Sequence, residues 1–318
     1  MDAKRFQGAL IGTFAGDALG MPVEGMTTDS IIAKHGGPIK DMAPGRLPAG
    51  SYTDDTEMMI GIAEALAERG EVDCALIGSR FVDNYDKKRG YGPATSKIIQ
   101  QLRKGAKWDE PAREVFNGAG SFGNGAPMRI APIGCFFYDR PDLIREAAED
   151  CSRITHTHPL GMEGGAVQAY AVALALTASA KGFDPVEFVD MLIAFTNKAD
   201  YGKPLMSVRD MLKRKRGPEP HEVVKVLGND VKAFTSCPAA IYSFLGNWRS
   251  FEDAVVFGVN LGGDADTIGA MTGALAGALH GIEAVPKRWL EALDNGEKGR
   301  DYIMGLAERL WERKSTAR

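Results

Sequence analysis

Val259-Asn260-Leu261-Gly262-Gly263-Asp264-Ala265-Asp266-Thr267-Ile268-Gly269 is the stretch on which the reading of this chain turns. A double glycine breaks an apolar run, two aspartates and a threonine follow at once, and a helix of small residues continues to Gly281. Glycine lets the backbone turn where a Cβ would clash. Asp and Thr start helices because their side-chain oxygens accept from the orphan N–H groups of the first turn. Two carboxylates one residue apart, with a hydroxyl beside them, exceed what a single cap requires. The same chemistry recurs near the front, at Ser51-Tyr52-Thr53-Asp54-Asp55-Thr56-Glu57. The expectation is that the two helix starts meet in space.

Outward from that stretch the chain reads as helical. Phe6, Leu10, Phe14 and Leu19 follow a helical period, and Gly8, Gly12, Gly16 and Gly20 recur at every fourth residue. A glycine costs an isolated helix about 1 kcal/mol relative to alanine, so a ridge of them predicts very close packing against neighbours. This helix should end at Gly20, before Met21-Pro22, and deliver Glu24 into the following loop. Residues 26–50 look irregular, with Gly36-Gly37-Pro38, Pro44-Gly45 and Pro48-Ala49-Gly50. Helix signals resume at Thr53, continue through Met58, Met59, Ile62 and Leu66, and stop at Gly70. Further helical patterns cover 74–88, 94–102, 143–154, 164–180, 185–197 and 206–215. Later ones cover 220–226, 237–245, 251–259, 267–279, 286–293 and 301–312. Two-residue alternation is absent over any useful length. The predicted class is all-α, one compact helical domain over residues 1–318, since no linker or repeat divides the chain.

Composition narrows the function. With 318 residues, 44% apolar and 25% charged, the chain can bury a sizeable core. A net charge of −4 offers no field for nucleic acid or an anionic membrane. The run Lys213-Arg214-Lys215-Arg216 reads as a solvated turn before Gly217-Pro218. Cys74, Cys135, Cys151 and Cys237 are far apart, with no C-x-x-C pair, so neither a thiolate zinc site nor a disulfide framework is suggested. The apolar runs 166–180 and 268–279 are shorter than the roughly 20 residues a membrane span needs. The start, Met1-Asp2-Ala3-Lys4-Arg5, leads into an amphipathic stretch without a secretory apolar core. The expectation is a cytoplasmic monomer that binds neither membrane nor nucleic acid directly.

Thr53, Asp54, Asp55, Asp264, Asp266 and Thr267 are all hard oxygen donors. Brought together, they suit magnesium, manganese or calcium rather than zinc or copper. Each cluster alone also reads as an N-cap with an acidic first turn. Duplication favours a two-metal centre, because buried like charges need a counter-cation. The stretch Phe116-Asn117-Gly118-Ala119-Gly120-Ser121-Phe122-Gly123-Asn124-Gly125-Ala126-Pro127-Met128-Arg129 can expose successive backbone N–H groups, as phosphate-cradling loops do. Phe122 could stack on a base there, and Arg129 adds positive charge. No G-K-[ST] follows, so this is not a Walker loop. Glu24, among Pro22, Val23, Gly25 and Met26, is a candidate general acid as well as an ordinary surface glutamate. His156 and His158 stand at i, i+2, a spacing that fits a cap or a carbonyl partner better than a metal pair, although His156 remains a candidate ligand contact.

Together these blocks resemble the ADP-ribosylglycohydrolases: Gly16-Asp17-Ala18-Leu19-Gly20 with Glu24, Tyr52-Thr53-Asp54-Asp55-Thr56, Gly123-Asn124-Gly125 with Met128-Arg129, Thr155-His156, and Leu261 through Ile268. The resemblance runs from about residue 8 to residue 290. It implies an all-helical orthogonal bundle around a binuclear magnesium site, with manganese as a substitute. It also implies cleavage of the bond from C1″ of the distal ribose of ADP-ribose to its acceptor, with ADP-ribosylated proteins or ADP-ribose derivatives as substrates. By matching positions, Thr53, Asp54, Asp55, Asp264, Asp266 and Thr267 would be metal ligands and Glu24 the catalytic carboxylate. The Gly120–Gly125 loop (Gly120, Ser121, Phe122, Gly123, Asn124, Gly125) and His156 would hold the diphosphate and distal ribose, and Phe116, Phe122 and Ile241 would border the adenosine. Arg89-Gly90-Tyr91-Gly92, residues 116–125 and Pro238-Ala239-Ala240-Ile241-Tyr242 look like the class that acts on serine-linked ADP-ribose, poly(ADP-ribose) and O-acetyl-ADP-ribose. Met21-Pro22-Val23 before Glu24 is also compatible with the arginine-type enzymes. A non-catalytic ADP-ribose-binding or structural relative is the alternative from another class, and the presence of every aspartate together with Glu24 favours an enzyme.

Overall fold

Two glycine-rich helices, Ala3–Gly20 and Ala265–His280, lie against each other at the centre of the molecule. In the computed structural model, which describes residues 2–316, they run antiparallel. A Cβ on Gly16 would overlap the carbonyl oxygen of Gly269, one on Gly12 that of Gly273, and one on Gly8 that of Gly277. The overlaps are reciprocal, so the backbones touch with no side chain between them. The spacing of four seen in the sequence is therefore one side of a ladder whose other side is the small-residue helix after Thr267. Both helices are buried along almost their whole length.

The other elements wrap this pair. Helices Asp54–Arg69, Ala131–Phe136 and Arg300–Thr316 pack on the first glycine helix, and Pro159–Thr177, Ala233–Gly246 and Phe251–Val259 on the second. Outside these, Cys74–Asn84 covers Asp54–Arg69, Pro141–Arg153 covers Pro159–Thr177, and Ala199–Leu212 covers Ala233–Gly246. The described residues form sixteen α-helices and five short 3₁₀ turns; the only β-type pairings among them are two isolated bridges, Thr27 with Gly262 and Gly123 with Lys232. The all-α class is as expected.

Three details differ from the sequence expectation. The stretch 26–50 contains a helix, Thr28–His35, because Thr27 accepts from the Ser30 N–H as an N-cap and Gly36 closes the end at φ 73°. Ala131–Phe136 is a short buried helix in a segment where none was expected. Helices expected to begin at 206 and 237 begin earlier, at Ala199 and Ala233, with Pro204 and Pro238 inside them. Proline usually marks a boundary, but here the packing of the flanking turns outweighs the lost hydrogen bond. The basic run 213–216 is exposed and lies in a turn, as read.

Candidate active site

Antiparallel packing places the end of the first glycine helix beside the start of the second, so the loop after Gly20 meets the turn before Ala265. The Gly25 N–H donates to the Gly263 carbonyl at 2.7 Å, and the Gly263 N–H to the Met26 carbonyl at 2.8 Å. Gly262 and Gly263 sit at φ 68° and 65°, a left-handed geometry that a side chain would strain. A carboxylate oxygen from each of Glu24, Asp264 and Asp266 consequently lies within 4.8 Å of the other two.

The other acidic turn is organised by a residue with no outlet to solvent. Thr53 caps helix Asp54–Arg69, its hydroxyl accepting from the Asp55 N–H and donating to Asp55 Oδ2 at 3.1 Å. Asp17, fully buried on the first glycine helix, accepts from the Thr53 N–H with both oxygens at 3.0 Å. It also accepts from the Thr56 N–H at 3.2 Å and the Thr56 hydroxyl at 2.6 Å. Four contacts from one carboxylate fix the first turn of the helix, and Asp54 and Asp55 are left lining the cavity.

The two turns share one electrostatic field. Burial pushes the Asp17 carboxyl up to about 6 against its hydrogen bonds. Burial and the charge of Asp17 push Asp54 up to about 8. Asp55 and Asp266 are raised well above the usual carboxylate range, by burial first and then by neighbouring carboxylates. Asp264 is raised to about 6 by burial, with the Asn124 amide opposing the shift. Asp264 also acts on Asp54 and Asp55, and Asp55 on Asp266.

Capping alone does not account for these aspartates. Asp264 holds the N-cap position of Ala265–His280 but makes no capping hydrogen bond. Its carboxylate accepts from the Asn124 side chain instead. Asp55 Oδ1 is buried and has no hydrogen-bond partner among the described residues. An orphaned oxygen among clustered carboxylates, three of which approach one another as carboxylates alone, fits a hard divalent cation.

The cluster opens into a cavity of about 450 Å³. Glu24, Asp54, Asp55, Asp264, Asp266 and Thr267 line it together with Phe116, Ser121, Gly123, Asn124, Gly125 and His156. Thr53, Gly120, Phe122 and Ile241 do not line it. Thr53 is buried as the cap. Phe122 packs edge-on against His158 at 5.5 Å and tilted against Phe234 at 6.0 Å, outside the cavity. Ile241, expected at the adenosine, is wholly buried inside helix Ala233–Gly246, where apolar packing claims it. Arg129, read as a phosphate partner, is fully buried as well. His158 caps helix Pro159–Thr177 through Nδ1, accepting from the Leu160 N–H at 3.1 Å, so the two histidines do not form a metal pair. His156 is driven down to about 3 by burial and by the Arg129 charge, and is neutral.

The ADP-ribosylglycohydrolase family model matches residues 2–318. The chain belongs to the ADP-ribosylglycohydrolase family. Among its relatives, ADP-ribosylhydrolase ARH3 of Xenopus tropicalis is 33% identical, over 94% of this chain and 93% of the relative. ADP-ribosylhydrolase ARH3 of Homo sapiens is 31% identical, over 92% and 90%. A solved structure described as an ADP-ribosylglycohydrolase-related protein complex aligns with a TM-score of 0.76 at 29% identity, over 98% of both chains. The chain is thus an enzyme that hydrolyses glycosidic bonds of ADP-ribose. No described helix is long and apolar enough to cross a membrane.

Two residues of this ADP-ribosylglycohydrolase's site escaped sequence reasoning. Asp17 had a visible signal, a lone carboxylate in a helix of glycine and apolar residues. Arg46 had none. It comes from the Pro/Gly-rich loop, and its Nε and Nη2 donate to Glu24 Oε2 at 3.3 and 3.1 Å. Nη2 also lies 3.5 Å from Asp266 Oδ2, and Nη1 donates to the Arg89 carbonyl at 3.0 Å. This guanidinium is the cation beside Glu24 and Asp266.

Proposed function

We propose that the cavity binds ADP-ribose linked to a protein side chain, serine favoured, and that Glu24 is the catalytic carboxylate in cleaving the C1″ bond. The observation that carries this reading is the approach of Glu24, Asp264 and Asp266 to within 4.8 Å, in one cavity with the Gly123–Gly125 loop. Asp54, Asp55, Asp264, Asp266 and Thr267, with Thr53 behind them, would hold two Mg²⁺, with Mn²⁺ as a substitute. When bound, the cations supply electrostatic stabilisation at the distal ribose.

The chain's own residues supply the rest. The Gly120, Gly123 and Asn124 N–H groups donate to Val115, Ser121 and Val231, so the remaining N–H groups of the glycine loop and His156 bind the anionic diphosphate, and Phe116 at the mouth covers apolar surface of the adenosine. Immobilising the ligand at both ends orients C1″ toward Glu24. Glu24 gives a proton to the departing acceptor oxygen and then takes one from the attacking water, and Arg46, which donates to Oε2, stabilises the carboxylate between the two steps. Preference for serine over arginine is supported by the resemblance of Arg89–Gly92, residues 116–125 and Pro238–Tyr242 to the serine-acting class. Poly(ADP-ribose) and O-acetyl-ADP-ribose are further candidate substrates.

The test is release of ADP-ribose from a serine-ADP-ribosylated peptide, set beside an arginine-linked one, with and without EDTA. Full activity in excess EDTA sinks the metal assignment, and faster arginine release reverses the acceptor. Glu24→Gln should lower turnover by about 10²-fold or more while ADP-ribose still binds; unchanged turnover removes Glu24 from its role.

A further inference from the structure

Arg129 is a fully buried cation, and no carboxylate forms an ion pair with it among the described residues. Its Nη2 donates to the Thr155 hydroxyl at 2.7 Å, its Nη1 lies 3.3 Å from Met58 Sδ, and its guanidinium stands 4.8 Å from the centre of the Phe81 ring. Its Nε is buried without a partner. So costly a placement is compensated by what the group orders around it.

The Thr155 hydroxyl has one proton to give and lone pairs to receive. Arginine can only donate, so Thr155 Oγ1 accepts from Arg129. Its own proton is then free for its other neighbour, Nδ1 of His156, 2.7 Å away. A neutral imidazole that accepts at Nδ1 carries its proton on Nε2. That ring edge faces the glycine loop: a Cβ on Gly125 would lie 2.9 Å from Nε2 and one on Gly123 3.5 Å away. His156 lines the cavity, and Nε2 makes no hydrogen bond to another described residue.

We infer that Arg129 and Thr155 form a buried relay that holds His156 as the Nε2–H tautomer, so that the cavity wall beside the glycine loop presents a fixed hydrogen-bond donor to an anionic ligand. Arg129 and Thr155 are positioning residues on this account. The inference rests on the proposed function only for the identity of the ligand as a phosphate-bearing nucleotide. The tautomer is a property of the free protein. Without the relay, the ring can take the Nδ1–H form and present the bare Nε2 lone pair where an anion needs a proton.

The experiment compares the wild-type protein with Thr155→Val and Thr155→Ser. Long-range ¹H–¹⁵N spectra of the free proteins read the His156 tautomer, and calorimetry with ADP-ribose reads the affinity. The wild type and T155S should show the Nε2–H form. T155V should show a mixture or the Nδ1–H form and bind ADP-ribose about tenfold more weakly, the order expected for one hydrogen bond to a charged group. Arg129→Met should shift the tautomer in the same direction; should it fail to fold, T155V decides the matter alone. A wild-type His156 in the Nδ1–H form, or a T155V protein with unchanged tautomer and affinity, overturns the relay. A wild-type protein that shows the Nε2–H form but does not bind ADP-ribose counts against the proposed ligand and supports the relay.

Discussion

The two acidic turns look alike in sequence and are built differently. The turn at Thr53–Thr56 is wired from within: Thr53 caps the helix and buried Asp17 takes up its N–H groups. The turn at Gly262–Thr267 is wired through backbone, by paired hydrogen bonds to the loop after Glu24 and by the Asp264 N–H to the Asn229 carbonyl. One turn therefore needs a carboxylate that does not face the cavity, and the other needs glycines that keep side chains away. Identical residue types can be scaffold in one place and open site in another, depending on whether their lone pairs are already taken. Asp17 is saturated, whereas Asp55 Oδ1 has no hydrogen-bond partner among the described residues, and Asp266 accepts from the Thr267 N–H at 2.9 Å and lies beside Arg46.

Substitutions should separate the two turns. The largest effect is expected at the ladder that brings the turns together. Gly16→Ala drives a methyl into the Gly269 carbonyl, where neither backbone can yield, and should destabilise by about 3 kcal/mol or more; a denaturant midpoint close to wild type would refute the ladder. Next, the same chemical change should have opposite signs in the two turns. Asp17→Asn turns an amide toward N–H donors and should cost about 3 kcal/mol. Asp266→Asn relieves buried repulsion and should raise metal-free stability by about 1 kcal/mol while abolishing cation binding. Equal signs for the two would mean that both aspartates serve one role.

Titration sharpens the same point. Folding raises Asp17 and Asp264 to about 6 and Asp54 to about 8, whereas unfolded carboxylates titrate near ~4. The folded chain therefore holds more protons than the unfolded chain between pH ~4 and ~8, and its stability falls as pH rises through that window. Metal-free protein should unfold at lower denaturant at pH 8 than at pH 5, and saturating Mn²⁺ should remove most of the difference; a flat profile would deny the mutual repulsion. The smallest effect is expected at Arg46, which is partly exposed. Arg46→Met should lower metal-free stability by less than about 1 kcal/mol and tighten Mn²⁺ binding severalfold in calorimetry. Weaker binding would make Arg46 a support of the cation site rather than its rival.

Features set by local chemistry are legible in the chain alone. Helix class came from apolar period, helix starts from Thr53 and the Asp264 turn, and close packing from glycines at every fourth residue, because these depend on backbone sterics and capping within a few residues. The hard-oxygen character of the acid cluster was legible for the same reason. Which glycine helix meets which, that Asp17 supports one turn and Arg46 reaches the other, and that Arg129 and Ile241 are buried instead of lining the cavity emerge only when the chain has folded. Those outcomes depend on directions of side chains from elements far apart in the chain. An arginine in an irregular loop or an isoleucine in a helix carries no local mark of the face it will meet; burial and the competition for hydrogen-bond partners assign it only once the two glycine helices have closed on each other.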